Sequence, residues 1–125
     1  MRKTLTASLL AAACSSGNSP TADCDPDNGG ITLPEGFCAR VFADEVGVAR
    51  HLVVRENGDV FVALEDASHA SAGTTKIRGD NARGGVLALR DTNRDGRADL
   101  RVRFGEAGGS GIALRNDTLF FSTIT

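Results

Sequence analysis

Residues 49–66, "ARHLVVRENGDVFVALED", decide how this chain folds, because residues 108–125, "GGSGIALRNDTLFFSTIT", repeat their build. Each copy has a short apolar run (52–54, then 112–114), a polar turn carrying Asn57 or Asn116, and a second apolar run (60–64, then 119–123). Val, Leu, Ile and Phe dominate the runs, and the Asn-containing turns tolerate the left-handed conformations that a hairpin needs. Each copy therefore reads as two antiparallel strands.

Between the copies stand a long polar stretch (65–83), the run "GGVLALR" (84–90), the turn "DTNRDGRAD" (91–99) and the run "LRVRF" (100–104). Four β-type runs thus fall between residues 49 and 104, and no segment carries a helical period of useful length. Upstream, "CARVFA" (38–43) alternates in the manner of a short strand. Four antiparallel strands followed by the opening pair of another four are the sequence signature of a β-propeller blade array. The expected fold is all-β, with antiparallel propeller blades: a complete first blade and the inner half of a second over residues 110–125. A small sandwich and a chance likeness of two hairpins remain as alternatives.

The chain starts "MRKTLTASLLAAACSSGNSP". Arg2 and Lys3 form a positive region, residues 5–13 a short apolar one, and small residues lead to Cys14, which is the grammar of a secretory signal. The apolar run is too short to span a bilayer. A cysteine directly after it, followed by a polar string, resembles a bacterial lipoprotein signal in which Cys14 is lipidated and becomes the mature N-terminus. Such signals carry Leu three places before the cysteine, whereas Ala11 stands there and Leu10 is one place early. Ordinary cleavage after Ala13 is the alternative. Residues 1–13 are read as the signal, 14–31 as a flexible tether poor in groups to bury, and 32–125 as the β domain.

Three cysteines in an exported chain leave one odd, and lipidation of Cys14 accounts for it. Cys24 and Cys38 are then expected to pair, tying the leader to the domain. A metal site on these two is the rival reading, but no His or further Cys lies near enough in sequence to complete four ligands. Removing Arg2 and Lys3 leaves 12 of the 14 basic residues against 16 acidic ones, a net charge of −4. With no Trp or Tyr to stack on bases, nucleic acid is excluded as a partner.

Four stretches in order, "LPEGFCARVFA", "ARHLVVRENGDVFVAL", "VLALRDTNRDGRADL" and "GGSGIALRNDTLFF", resemble the N-terminal part of the sorbosone dehydrogenase-like proteins, which belong with the soluble glucose dehydrogenase type of quinoprotein. The resemblance covers residues 24–125. It implies an exported, often lipid-anchored bacterial oxidoreductase with a six-bladed propeller, oxidising a sugar or sugar-derived aldehyde with pyrroloquinoline quinone (PQQ) and calcium. In that family a histidine base takes the hydroxyl proton while hydride passes to the quinone. About one and a half blades are present here. The family's base, quinone clamp and calcium ligands belong to later blades, so this chain alone is expected to be an inactive fragment of the enzyme. The alternative is a non-enzymatic, exported β-rich lipoprotein that binds a ligand at the cell envelope.

The candidate residues are few. His51 begins an inner strand after Arg50, where a propeller lines its central channel, and is the one candidate base; a structural hydrogen-bonding role competes with it. Arg50, Lys76 and Arg78 are candidate cofactor contacts, the latter two in a polar insertion that also holds His69 and Arg83. Asp91, Asn93, Asp95 and Asp99 sit at positions 1, 3, 5 and 9 of a calcium-loop pattern with Gly96 at its sharp turn. Position 12 is Val102, not the required Glu, and no helices flank the loop, so a solvated hairpin turn competes with a structural calcium site. The pairs Gly84-Gly85 and Gly108-Gly109 precede no helix that could cradle phosphate, and each opens a strand, where glycine relieves crowding.

Overall fold

A computed structural model describes residues 24–68 and 79–124. Cys14, His69, Lys76 and Arg78 lie outside the described residues. The protein is all-β and antiparallel. Strands β1 (Val48–Val54), β2 (Val60–Glu65), β3 (Gly85–Arg90) and β4 (Leu100–Phe104) form one sheet in that order, and β5 (Gly109–Arg115) and β6 (Thr118–Thr123) form a second. Both sheets are open. The repeated hairpins of the sequence are thus β1–β2 and β5–β6.

Pleating separates the side chains of the first sheet onto two faces. Cross-strand partners place Leu52, Val54, Val60, Val62, Leu64, Leu87 and Leu89 on a first face, and His51, Phe61, Ala63, Val86, Ala88, Leu100, Val102 and Phe104 on the second. The core lies on the first face, where Val62, Leu64, Leu87 and Leu89 are buried beneath Phe42, Ala43 and Val46.

The segment 38–43 that supplies this cover is not a strand, contrary to its alternating sequence. Its backbone groups are satisfied by turns and side chains instead of a neighbouring strand. Ala39 N–H donates to Asn28 Oδ1 (3.1 Å), Val41 N–H to Asp25 Oδ2 (2.6 Å), and the Phe42 carbonyl accepts from Ala98 N–H (2.8 Å). Alternation here serves to point Phe42 down onto the sheet. Arg101 and Arg103, at the edge of the same face, hold the following turn by donating to the carbonyls of Asp44 (2.8 Å) and Val46 (3.4 Å). Within the stretch read as a tether, residues 24–31 carry a short 3-10 turn (Asn28–Gly30) capped by Asp27, and the sulfurs of Cys24 and Cys38 stand at disulfide distance with their Cα atoms 5.7 Å apart.

The second sheet packs on the second face of the first. Strand β5 runs along β1 and β2, and His51 reaches the Ser110 carbonyl across the gap. Ile112, Leu114, Leu119 and Phe121 share the partly buried side of the second sheet, while Ala113 and Phe120 point away. Aligning the two hairpins at Arg55 and Arg115 matches Leu52, Val54, Val60 and Val62 with Ile112, Leu114, Leu119 and Phe121. Equivalent faces therefore stack head to tail: the first face of one sheet lies on the second face of the other.

One buried charge anchors the β1–β2 turn. Asp59 is 6% exposed and accepts from Arg90 Nε (2.5 Å), Arg90 Nη2 (2.6 Å) and Asn57 Nδ2 (2.9 Å). The Arg90 hydrogen bonds, helped by Asn57, hold the Asp59 carboxyl down to about 2, from 3.8. Because the folded value lies below the unfolded one, the stabilisation is complete above the unfolded value and is lost as pH falls toward 2. A shift of this size is on the order of 2 kcal/mol. Urea unfolding at pH 5 and pH 2.5 should show this loss in the native protein and a flatter profile in Asp59→Asn; equal slopes for the two would refute the assignment.

Candidate functional site

Strand direction sorts the candidate residues between two ends of the sheets. The starts of β1, β3 and β5 and the ends of β2, β4 and β6 lie at one end, together with Arg50 and His51. The turns β1–β2, β3–β4 and β5–β6 lie at the other, so the loop 91–99 is remote from His51.

At the first end, a bulge between Ala49 and His51 turns His51 onto the second face. Its Nδ1–H donates to the Ser110 carbonyl (2.6 Å), leaving Nε2 as the nitrogen able to accept a proton. The ring is exposed. Arg50 pairs with the buried Glu65 (3.3 Å), which directs its guanidinium along the sheet. Arg83 pairs with Glu106 (3.2 Å), so both of these cations are engaged with carboxylates.

The densest junction at this end was not legible as a site in the sequence. Asp66, directly after β2, accepts the Gly84 amide on Oδ1 (2.8 Å) and the Gly108 amide on Oδ2 (3.0 Å). A single carboxylate thus ties the entrance of β3 to the entrance of β5. Gly84 lies directly against Gly108, and a Cβ on either would fall far inside contact distance of backbone or of Asp66. Its only sequence signal is an acidic residue at the end of an apolar run combined with two glycine pairs at strand starts.

At the opposite end, the loop 91–99 satisfies its own carboxylates. Asp91 Oδ1 accepts the amides of Arg94 (2.6 Å) and Asp95 (3.2 Å), and its Oδ2 that of Gly96 (2.8 Å). Asp95 Oδ1 accepts the Arg97 amide (2.8 Å), and its Oδ2 the Asn93 amide nitrogen (3.1 Å). Asp99 takes the Thr92 amide (2.8 Å) and the Thr92 hydroxyl, which together hold its carboxyl below the usual carboxylate range. Arg94 (φ 63°) and Gly96 (φ 84°) supply the left-handed conformations. The loop is also a dock for the leader: Arg97 pairs with Asp25 and donates to the Val41 carbonyl (3.1 Å), and Arg40 donates to the Asp95 carbonyl.

Of the candidate quinone contacts, Lys76 and Arg78 lie outside the described residues. Every carboxylate of the loop already holds donors from the loop itself, and among the described residues no three His, Cys, Asp or Glu side chains converge as a metal group. Arg50, the described candidate for a quinone contact, is committed to Glu65. The candidates Asp91, Asn93, Asp95 and Asp99 are brought together as a turn, and His51 and Arg50 are brought to one end, but the two sets do not meet. Comparison with known proteins finds no matching family model, no matching curated protein and no matching solved structure.

Proposed function

We propose that these residues are the first blade and the inner half of the second blade of an exported, quinone-dependent sugar or aldehyde dehydrogenase of propeller form. The observation that carries this reading is the head-to-tail stacking of equivalent sheet faces. A sandwich of two sheets in a closed pair buries like faces against each other, whereas a stack in which each sheet offers its second face to the first face of the next continues around an axis. The four sequence stretches that resemble the sorbosone dehydrogenase-like proteins supply the chemistry. On this reading Cys14 carries lipid and holds the protein to the cell envelope, PQQ and calcium are bound by blades beyond these residues, and His51 at most lines the channel.

The 125-residue chain should therefore give no dye reduction with added PQQ and calcium over a panel of aldoses and aldehydes. Hydride transfer needs a base within hydrogen-bonding reach of the substrate hydroxyl and a clamped quinone, and among the described candidates His51 and the paired Arg50 provide neither. Fused to the remaining blades of a sorbosone dehydrogenase-like protein, the same residues should support turnover, with the base mapping outside them. A joined product that binds no PQQ, or turnover by the short chain that His51→Ala abolishes, would overturn the proposal. Palmitate labelling of the expressed protein should vanish in Cys14→Ala; labelling that persists would remove the lipid anchor from this account.

A further inference from the structure

The sequence holds two Asn-Gly pairs, Asn28–Gly29 and Asn57–Gly58. Glycine after asparagine leaves the carboxamide carbon open to the following backbone nitrogen, because no Cβ blocks the approach. Asn57 and Gly58 are exposed in the β1–β2 turn, Gly58 stands at φ 90°, and nothing lies within 4 Å of where its Cβ would be. Water therefore reaches this pair freely.

The fold ties down both groups that could react. Asn57 Nδ2 donates to Asp59 Oδ2 (2.9 Å), Asn57 Oδ1 accepts the Asp59 amide (3.1 Å), and the Gly58 amide donates to the Arg55 carbonyl (2.9 Å). Arg90 in turn fixes Asp59 through both carboxylate oxygens. The carboxamide of Asn57 is thus held at its nitrogen and its oxygen by one buried residue. At Asn28 it is the oxygen that is used, since Oδ1 accepts the Ala39 amide (3.1 Å).

We infer that Asn57–Gly58 is a self-modification site, which the Asp59–Arg90 pair holds in check and whose conversion to aspartate breaks the bond to that pair. The Gly58 nitrogen gives its proton to water and attacks Asn57 Cγ. The Cγ–Nδ2 bond breaks, ammonia leaves with a proton taken from water, and a succinimide ring closes. Water then adds to one ring carbonyl carbon and the bond from that carbon to nitrogen breaks, returning a proton to the nitrogen. Opening at Cγ gives Asp, and opening at the main-chain carbonyl gives isoaspartate. Either product has lost the Nδ2 donor and carries a carboxylate where the carboxamide faced Asp59. Arg90 is already bonded to Asp59 and Arg55 to Asp117, so the new charge meets Asp59 as a like charge. Conversion of Asn28 to aspartate instead keeps the oxygen that the Ala39 amide needs. Modification at Asn57 therefore loosens the β1–β2 turn, and it does so whatever chemistry the protein performs.

The test follows the full chain in mildly alkaline buffer, with and without urea, by the mass of the tryptic peptide that begins at Glu56. Asn57 should convert about tenfold or more slowly in the folded protein than in urea, because the bonds to Asp59 and Arg55 must open first. Asp59→Ala removes the acceptor of Nδ2 and should speed conversion of Asn57 in the folded protein about fivefold or more, with Asn28 unchanged. Gly84→Ala, which perturbs the other end of the sheets, should leave Asn57 near its native rate. Asn57→Asp, the product itself, should unfold at a lower urea concentration than the native protein, and Asn28→Asp should not. Conversion of Asn57 as fast in the folded protein as in urea, or no effect of Asp59→Ala, would overturn the proposal. So would an equal acceleration by Gly84→Ala, or an Asn57→Asp protein as stable as the native one.

Discussion

Replacing Gly84 by alanine is expected to destabilise the protein by about 3 kcal/mol and to loosen the second sheet before the first. Gly84 and Gly108 bring two backbones together so closely that a methyl group on Gly84 would meet main-chain atoms and not a side chain that could swing aside. Relief requires the entrance of β5 to move away from that of β3. Any such movement also lengthens the bonds from the Gly84 and Gly108 amides to Asp66, which span the same gap. Both glycines are buried, so neither amide would recover its bond from bulk water without opening the junction. Asp66→Ala reaches a similar loss by the other route, leaving both donors unpaired. The two substitutions should be clearly non-additive, since each disables the same junction. Urea unfolding gives the stability change, and hydrogen exchange at 109–115 gives its location. A loss under about 1 kcal/mol for Gly84→Ala, or full additivity with Asp66→Ala, would remove the junction from its proposed place as the link between sheets.

The strands were legible because their signals are local. Alternating Val, Leu and Phe with Asn-Gly or Asn-Asp between them is enough to define β1–β2 and β5–β6, and the Asp- and Gly-rich stretch between "VLALR" and "LRVRF" is enough to separate β3 from β4. The first turn shows how direct this is: Gly58 at φ 90° follows Asn57, whose side chain caps Asp59. Segment 38–43 departs from its strand-like pattern for the opposite reason. Its alternation is real, but strand formation needs a partner edge, and Asp25, Asn28 and Ala98 take up the segment's backbone groups instead.

The sites were less legible because they are assembled from distant positions. Asp91, Asn93, Asp95 and Asp99 have calcium-loop spacing, and the same spacing lets each carboxylate accept loop amides two to seven residues away. Spacing cannot separate these outcomes, since both need short acidic side chains around a glycine turn. Asp66 and Asp25 carry no motif at all. Their roles come from partners 42 and 72 residues away, Gly108 and Arg97, which only the folded topology brings near.

Reduction of the Cys24–Cys38 bridge is expected to cost about 3 kcal/mol, the other large effect in this protein. The two cysteines are separated by 14 positions, and closing a loop of that length in the unfolded chain accounts for a stabilisation of about this size on chain-entropy grounds. Native contacts amplify the consequence. The bridge fixes the leader so that Asp25 can accept the Val41 amide and pair with Arg97, and so that Asn28 can accept the Ala39 amide. Those bonds position Phe42 and Ala43, beside Val46 and Ala98, over the Val62, Leu64, Leu87 and Leu89 cluster. Freed from the bridge, the leader must find the same position against its own conformational entropy. A small domain with a total stability of about 5–15 kcal/mol would lose a large fraction of it. Urea unfolding with and without a phosphine reductant, beside a Cys24→Ser, Cys38→Ser protein, should give matching losses, and the reduced protein should expose the core amides of β2 and β3 to exchange. A change below about 0.5 kcal/mol would mean that Phe42 and the Asp25–Arg97 pair seat the leader unaided.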